Sequence, residues 1–68
     1  MELKEVQKAI LDVLKQNKGY MTTYEVAKAV NVAWETANRH LFMLLEQGLV
    51  ETKMERKYDT FKRYWRAK

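Results

Sequence analysis

Apolar residues recur at steps of three and four through the first two thirds of the chain and at steps of two near its end. In residues 2–17 the apolar positions form one stripe, and charged residues take the other side, which predicts an amphipathic helix. Asn17-Lys18-Gly19 ends this helix, and Gly19 is able to adopt a positive φ. The predicted inward residues are Leu3, Val6, Ile10, Val13 and Leu14.

A second helix is predicted from the sequence TTYE at residues 22–25. This sequence matches a capping box, in which the Thr22 hydroxyl accepts from the amide of Glu25 and the Glu25 carboxylate accepts from the amide of Thr22. Met21 and Val26 occupy the positions of a hydrophobic staple around it. The helix is predicted to end near Val30, with Val26, Ala27 and Val30 inward.

A tight turn over residues 31–33 predicts the start of a third helix at Trp34. Asn31 is one of the few residues besides Gly that tolerate the left-handed conformation. The third helix runs to about Gln47, and Gly48 closes it. Its predicted buried stripe consists of Ala37, Leu41, Leu44 and Leu45.

After Gly48 the apolar period changes to two, which is typical of strands. LVETKME at residues 49–55 and TFKRYWR at residues 60–66 therefore predict a β-hairpin, with the turn at residues 56–59. This turn contains neither Gly nor Pro, so its type stays open. The fold class predicted for residues 1–68 is one mainly α domain of three helices followed by a β-hairpin.

Composition limits the classes of function. A chain of 68 residues buries only roughly 60% of its unfolded surface, so its core is small. It contains no Cys and one His, so we expect no disulfide, no metal site and no cofactor. No segment is long and apolar enough for a membrane span or a signal peptide, and we expect a cytoplasmic protein without a membrane partner.

Charge is concentrated at the end of the chain. Residues 1–52 carry a net charge of −1, and residues 53–68 carry +5, so the overall +4 comes from the last quarter. This asymmetry favours a polyanionic partner. A solvated charged tail is the alternative interpretation of the same run.

The segment TTYEVAKAVNVAWETANRHLFMLLEQGLVE, followed by a basic hairpin, resembles a winged helix-turn-helix DNA-binding domain. The resemblance covers residues 20–66 and is closest to small archaeal and bacterial transcription regulators of the MarR, ArsR and Lrp-like kind. Two positions depart from the family pattern. Asn31 replaces the usual turn Gly, and Ala33 replaces the usual Ser or Thr cap of the third helix, which it cannot cap through its side chain.

The resemblance implies that the segment of about residues 34–47 is a recognition helix in the major groove of double-stranded DNA, while the wing of about residues 49–66 lies on the backbone or in the minor groove. Arg39 would pair with guanine or a phosphate, Asn38 with adenine, and Glu35 with the N4 amine of cytosine. Trp34 would pack on a thymine methyl group or on sugar. The expected phosphate contacts are Thr36, Lys53, Arg56, Lys57, Lys62 and Arg63.

Several of these residues have structural alternatives. Trp34 would equally pack on the second helix or the wing, and Glu35 would simply favour a helix N-terminus. His40 is predicted to be packed and hydrogen-bonded. Phe42 and Met43 would form a self-association patch or rest under the wing. Phe61, Tyr64 and Trp65 are expected to turn one face to the third helix, and Tyr58 is expected to be exposed.

The leading hypothesis is a sequence-specific regulator, such as a repressor, that acts as a homodimer on an inverted repeat without a small-molecule effector. One alternative is a winged helix that binds protein, as a scaffold or polymerase-associated module. Another is a binder of left-handed (Z-form) nucleic acid, because Asn38, Arg39, Phe42 and Trp65 fall at the matching positions of that class, although the wing has no Pro. An enzyme is disfavoured, because no nucleophile with a base, Gly-rich phosphate loop or carboxylate pair is visible.

Overall fold

A computed structural model describes residues 3–68, and for Leu3 it describes the backbone alone. The helices and strands follow the predicted order, with one short strand added before the second helix. They are α1 Leu3–Gln16, β1 Met21–Thr22, α2 Thr23–Val30, α3 Trp34–Glu46, β2 Val50–Lys57 and β3 Thr60–Ala67. The prediction that the first helix includes residue 2, and that Leu3 points inward, lies outside the described residues.

Local signals at both ends of α2 form as the sequence predicted. The Thr22 hydroxyl accepts from the Glu25 amide at 3.1 Å, and the Thr22 amide donates to the Glu25 carboxylate at 3.0 Å, so the capping box is confirmed. Asn31 ends the helix in the left-handed conformation, at φ 57° and ψ 50°. Ala33 precedes α3 in an extended conformation and provides no side-chain cap. The short turn between α2 and α3 therefore has the predicted geometry.

The two glycines behave differently at the helix ends. Gly48 has a φ of 75° and ends α3, as expected. Gly19 is not among the described residues of positive φ, so its backbone freedom is not used in the way the sequence suggested. After α1 the side-chain amide of Asn17 donates to the Gly19 carbonyl oxygen at 2.6 Å, and this bond closes the local turn instead.

The hairpin differs from its prediction in extent and in partners. Arg56 and Lys57 belong to β2, so the turn consists of Tyr58 and Asp59 rather than of residues 56–59. The sheet is antiparallel in the order β1-β3-β2, because Met21 and Thr22 pair with β3. A strand of two residues is too short to show a period of two, which is why the sequence pattern did not reveal β1.

The core lies between the three helices and the base of the hairpin. Each predicted helix stripe contributes to it, and Val13 and Leu45 are only partly buried. The hairpin adds Val50 and Trp65, both with no exposed surface. The buried cluster consists of Val6, Ile10, Leu14, Val26, Leu41, Leu44, Val50 and Trp65.

One buried hydrogen bond joins the hairpin to α2. The indole Nε1–H of Trp65 donates to the Thr23 hydroxyl at 2.8 Å, and both residues are buried. A polar group buried without a partner costs more than the bond itself contributes. The bond therefore fixes which face of the indole meets α2, and it holds β3 against the start of the helix-turn-helix segment.

Thr23→Val tests this bond, because valine has nearly the shape of threonine but cannot accept. We expect a loss of about 1–3 kcal/mol in the free energy of unfolding, since the Trp65 N–H is left buried and unpaired. Urea unfolding followed by circular dichroism measures it. Thr23→Ser keeps the hydroxyl and is the matched control. A Thr23→Val variant as stable as the unchanged protein would show that the hydrogen bond does not stabilise the domain.

Candidate nucleic-acid interface

The hairpin of β2 and β3 has two faces with different surroundings. Side chains alternate between the faces of a strand, and directly paired residues share a face. We call the face that includes buried Trp65 the inner face and the opposite one the outer face. The inner face carries Val50, Thr52, Met54, Arg56, Phe61, Arg63, Trp65 and Ala67, and the outer face carries Glu51, Lys53, Glu55, Lys57, Thr60, Lys62, Tyr64 and Arg66.

Aromatic and cation–π contacts connect the inner face to α3. The rings of Phe42 and Trp65 meet edge to face, with centroids 5.1 Å apart and an interplanar angle of 89°. The Arg63 guanidinium lies 5.1 Å from the Phe42 ring centroid and donates to the Thr52 hydroxyl at 3.3 Å. Phe42 therefore rests under the hairpin, which is one of its two predicted positions. This arrangement holds α3 and the hairpin at a fixed angle.

A cleft of about 520 Å³ opens between α3, the start of α2 and the inner face. The polar groups in it include the Asn38 amide and the Arg63 guanidinium. Its walls are largely aromatic or apolar, and the rings of Trp34 and Phe61 are 51% and 62% exposed. The residues that contribute from α3 and the hairpin include Trp34, Asn38, Phe42, Met54, Phe61 and Arg63. The predicted base-contacting residues Trp34 and Asn38 thus share one cleft with two predicted phosphate-contacting residues, Lys62 and Arg63.

The other predicted residues of α3 stand outside this cleft. Glu35 and Arg39 are exposed, and Thr36 is half-buried. Glu35 also lies in the first helical turn, where a negative charge is favourable next to the positive end of the helix dipole. Both the DNA-contacting and the structural interpretation of Glu35 therefore agree with its position.

Arg56 is the inner-face cation nearest the turn. Its guanidinium carbon lies 5.5 Å from the Phe61 ring centroid, and its Nε donates to the Tyr58 carbonyl oxygen at 3.4 Å. These contacts hold the side chain along the hairpin on the side that faces α3. Arg56 and Arg63 together make the inner face cationic as well as aromatic.

The outer face carries the remaining predicted phosphate contacts, Lys53, Lys57 and Lys62. The Lys53 ammonium lies 4.4 Å from the Tyr20 ring centroid and forms an ion pair with Glu55 at 3.0 Å. On the same face Arg66 forms an ion pair with Glu51, and this hydrogen bond, together with the charge of Glu51, raises the pKa of Arg66. Lys53 is therefore engaged within the protein, on the side away from α3.

His40 is packed as predicted, but its hydrogen bonding differs from the prediction. Its side chain is buried in α3, and among the described residues its Nδ1 has no hydrogen-bond partner. Met43 lies close to α1, where its sulfur accepts from the Gln7 side-chain amide at 3.6 Å. The side chain of Met43 is thus partly covered by a neighbouring helix.

Residues 3–68 contain no cluster of three or more His, Asp or Glu side chains arranged to hold a metal ion. No helix in the same residues is long and apolar enough to cross a membrane.

A short turn between two helices, an exposed third helix and a basic hairpin beside it together define a winged helix-turn-helix domain. Residues 3–51 match the family model described as winged helix-turn-helix DNA-binding. The chain belongs to this family of DNA-binding domains, and the fold class and family predicted from the sequence are confirmed. From here on the hairpin of β2 and β3 is called the wing. No curated protein matches the sequence.

Three solved structures illustrate proteins of similar fold. The homodimeric winged helix-turn-helix domain Mb0332 of Mycobacterium bovis, a possible ArsR-family transcriptional regulator, is 29% identical, with a TM-score of 0.73 over 96% of this chain and 55% of that one. Stf76 from the Sulfolobus islandicus plasmid-virus pSSVx is 19% identical, with a TM-score of 0.78 over 91% of this chain and 79% of that one. PadR of Bacillus subtilis, in complex with operator DNA, is 16% identical, with a TM-score of 0.79 over 94% of this chain and 41% of that one.

The length of these proteins limits the comparison. This chain spans about half of the Mycobacterium fragment and about two fifths of PadR. The likeness to Stf76 and PadR concerns the fold. The domain is therefore a winged-helix DNA-binding domain similar to those of transcription regulators.

Proposed function

We propose that the domain binds double-stranded DNA with sequence preference and acts as a transcription regulator. α3 lies in the major groove, and the wing contacts the backbone or the minor groove. The observation that supports this most strongly is the shared cleft, which is lined by Asn38 of α3 and by Arg63 of the wing. Groups that contact one duplex at the same time must stand on one side of the protein, and these do.

Sequence preference comes from α3. Arg39 is exposed and free to give a two-pronged contact to guanine, and the amide of Asn38 fits the N6 and N7 edge of adenine. Glu35 accepts from the N4 amine of cytosine. Trp34, at the leading end of the helix, packs on a thymine methyl group or on the sugar backbone.

Backbone affinity comes from Thr36 and the wing. Arg56 and Arg63 face the same side as α3, and Lys57 and Lys62 flank the turn from the outer face. Lys53 contributes least, because Tyr20, Tyr64 and Glu55 already hold its ammonium. Phosphate contacts carry no sequence information, but they set the register of α3 in the groove.

The active form is a homodimer on an inverted repeat, because a single module of this size makes few base contacts. Phe42 packs against Trp65 and Arg63, which leaves α1 as the better dimer surface. The homodimeric domain of Mycobacterium bovis supports this choice of assembly. Binding to DNA places the protein inside the cell.

Selection of bound duplexes from a random pool, followed by a salt titration on the selected duplex, tests the proposal. A symmetric consensus would support sequence preference and the dimer together. If roughly six phosphates are neutralised, log affinity should fall with log salt at a slope near −5. Binding without any enriched sequence would contradict the regulator, and a flat salt response would contradict the wing contacts.

The Z-form alternative is weakened by the position of Trp65. Its ring has no exposed surface, and its N–H is bonded to Thr23, so it cannot reach a ligand in this conformation. The protein-binding alternative predicts that the wing cations are dispensable, and the first experiment of the Discussion separates it from the proposal.

A further inference from the structure

Tyr58, the first residue of the wing turn, has a backbone conformation that suits other residues better. Its φ is 59°, and the only other described non-glycine residue with a positive φ is Asn31. Positive φ is common for Gly and tolerated by Asn and Asp, but it is an outlier for a bulky side chain. Two-residue hairpin turns accordingly favour Asn, Asp and Gly where φ is positive. A Tyr at this position makes the turn less stable than it need be.

The Tyr58 ring does not compensate the fold for this unfavourable backbone conformation. The side chain is 86% exposed, more than any other large hydrophobic residue among those described. Other side chains bond to the main chain of the turn instead, because the Thr60 hydroxyl donates to the Lys57 carbonyl at 2.8 Å and Arg56 donates to the Tyr58 carbonyl. Since the hydrogen bonds involve only the backbone of Tyr58, Asn or Gly would serve the turn at least as well. A strained residue of this kind is a reason to look for a role outside the fold.

The surroundings of Tyr58 indicate what the ring contacts. Arg56 and Lys57 precede it on the two faces of the wing, and Lys62 follows on β3, against a single acid at Asp59. This concentration of positive charge favours a polyanion and disfavours a second copy of the same wing. Neutralisation of phosphates requires only the cations. The exposed aromatic ring adds a flat apolar surface on which a nucleobase can stack.

We propose that Tyr58 is an intercalating residue, which inserts its ring from the minor groove and partly unstacks one base step. This inference rests on the proposed function, because it needs the wing to lie on a duplex. Minor-groove proteins use apolar wedges in the same way and bend the duplex at the wedged step. The cations beside the ring then hold the two flanking phosphates, so the wing tip both anchors and deforms the DNA.

Tyr58→Asn separates this role from a structural one, because the two roles predict opposite changes. Relief of the unfavourable φ should raise the melting temperature by a few degrees. Loss of the ring should lower the affinity for the selected duplex by roughly tenfold, the scale of one base–aromatic stacking contact. Tyr58→Phe keeps both the ring and the strain, and it should retain the affinity and the melting temperature of the unchanged protein.

A fluorescent base reports the unstacking directly. 2-Aminopurine is placed in turn at each position under the wing in the selected duplex, and its emission should rise at one step with the unchanged protein and with Tyr58→Phe, but not with Tyr58→Asn. Unchanged affinity and emission in Tyr58→Asn, with the salt slope preserved, would overturn the inference and leave the proposed function intact. A lower melting temperature in Tyr58→Asn would show that the ring stabilises the fold, which also overturns it. Failure of the unchanged protein to bind any duplex would remove both proposals.

Discussion

Replacing Arg56 and Lys57 together by Glu is expected to lower the affinity for duplex DNA by roughly a hundredfold or more at physiological salt. Each phosphate contact contributes through the release of bound counterions, and two reversed charges remove two contacts and add repulsion. Both side chains are exposed, so the fold should survive the change. Fluorescence anisotropy with a labelled duplex measures the affinity, and the salt slope should fall by about 2.

Lys18→Glu combined with Lys28→Glu is the matched control. Both lysines are exposed outside the wing and outside α1, and the pair changes the net charge by the same amount as the wing variant. If DNA binding depends only on total charge, the two double variants will lose equal affinity, and the specific role of the wing is refuted. If the wing variant keeps its DNA affinity while the domain stays folded, the protein-binding alternative becomes the better explanation.

Trp65→Ala is expected to remove a large part of the stability of the domain, or all of it. Truncating a fully buried aromatic residue costs about 3–5 kcal/mol in the free energy of unfolding. The total stability of a domain of 68 residues is only roughly 3–10 kcal/mol. Trp65 has no exposed surface and packs against Phe42, and its N–H bonds Thr23, so its loss affects the wing, α3 and α2 together. Urea unfolding followed by circular dichroism measures the change.

Phe61→Ala is the control for Trp65→Ala, because it removes another aromatic residue from the same strand and the same face. Phe61 is 62% exposed, so its removal should change stability by less than about 0.5 kcal/mol. Its place in the cleft predicts a loss of DNA affinity instead. Comparable destabilisation by the two variants would mean that the wing is held by general packing along β3 rather than by Trp65.

Features that depend on a few neighbouring residues could be predicted from the sequence. The capping box needs only Thr22 and Glu25, and the turn before α3 needs only an Asn that tolerates positive φ. Both signals act within four residues, so no knowledge of the rest of the chain is required. The helix stripes are equally local, and most of their described inward residues meet in the core, with Val13 as an exception.

Features that depend on distant pairing could not be predicted in this way. Thr23 looks like a second helix-starting Thr, and only its contact with Trp65, 42 residues later, shows that it is a buried acceptor. β1 exists because β3 lies beside it. The division of the wing cations between two faces depends on the position of the turn, which was predicted at residues 56–59 but consists of Tyr58 and Asp59. Neither Gly nor Pro marks it.

The site residues stay a prediction, and the structure shows where they lie. The polar ones were chosen by their chemistry, and Asn38 and Arg63 both line the cleft. Phe61 lines the cleft beside α3, as expected, whereas Tyr64 was also expected to face α3 and lies on the outer face. The contribution of Met54 was not predicted, because an alternating strand pattern does not say which face meets α3.

The contacts among Phe42, Trp65 and Arg63 limit how far the wing can move relative to α3 when the domain binds DNA. A wing that is fixed to α3 at one angle cannot follow a helix whose grooves differ in width from site to site. Stiff, narrow-grooved A-tracts and flexible pyrimidine–purine steps would therefore be bound with different affinity even at positions that no side chain touches. Selected sites should then share a common groove shape in their flanking sequences as well as a consensus sequence at their centre.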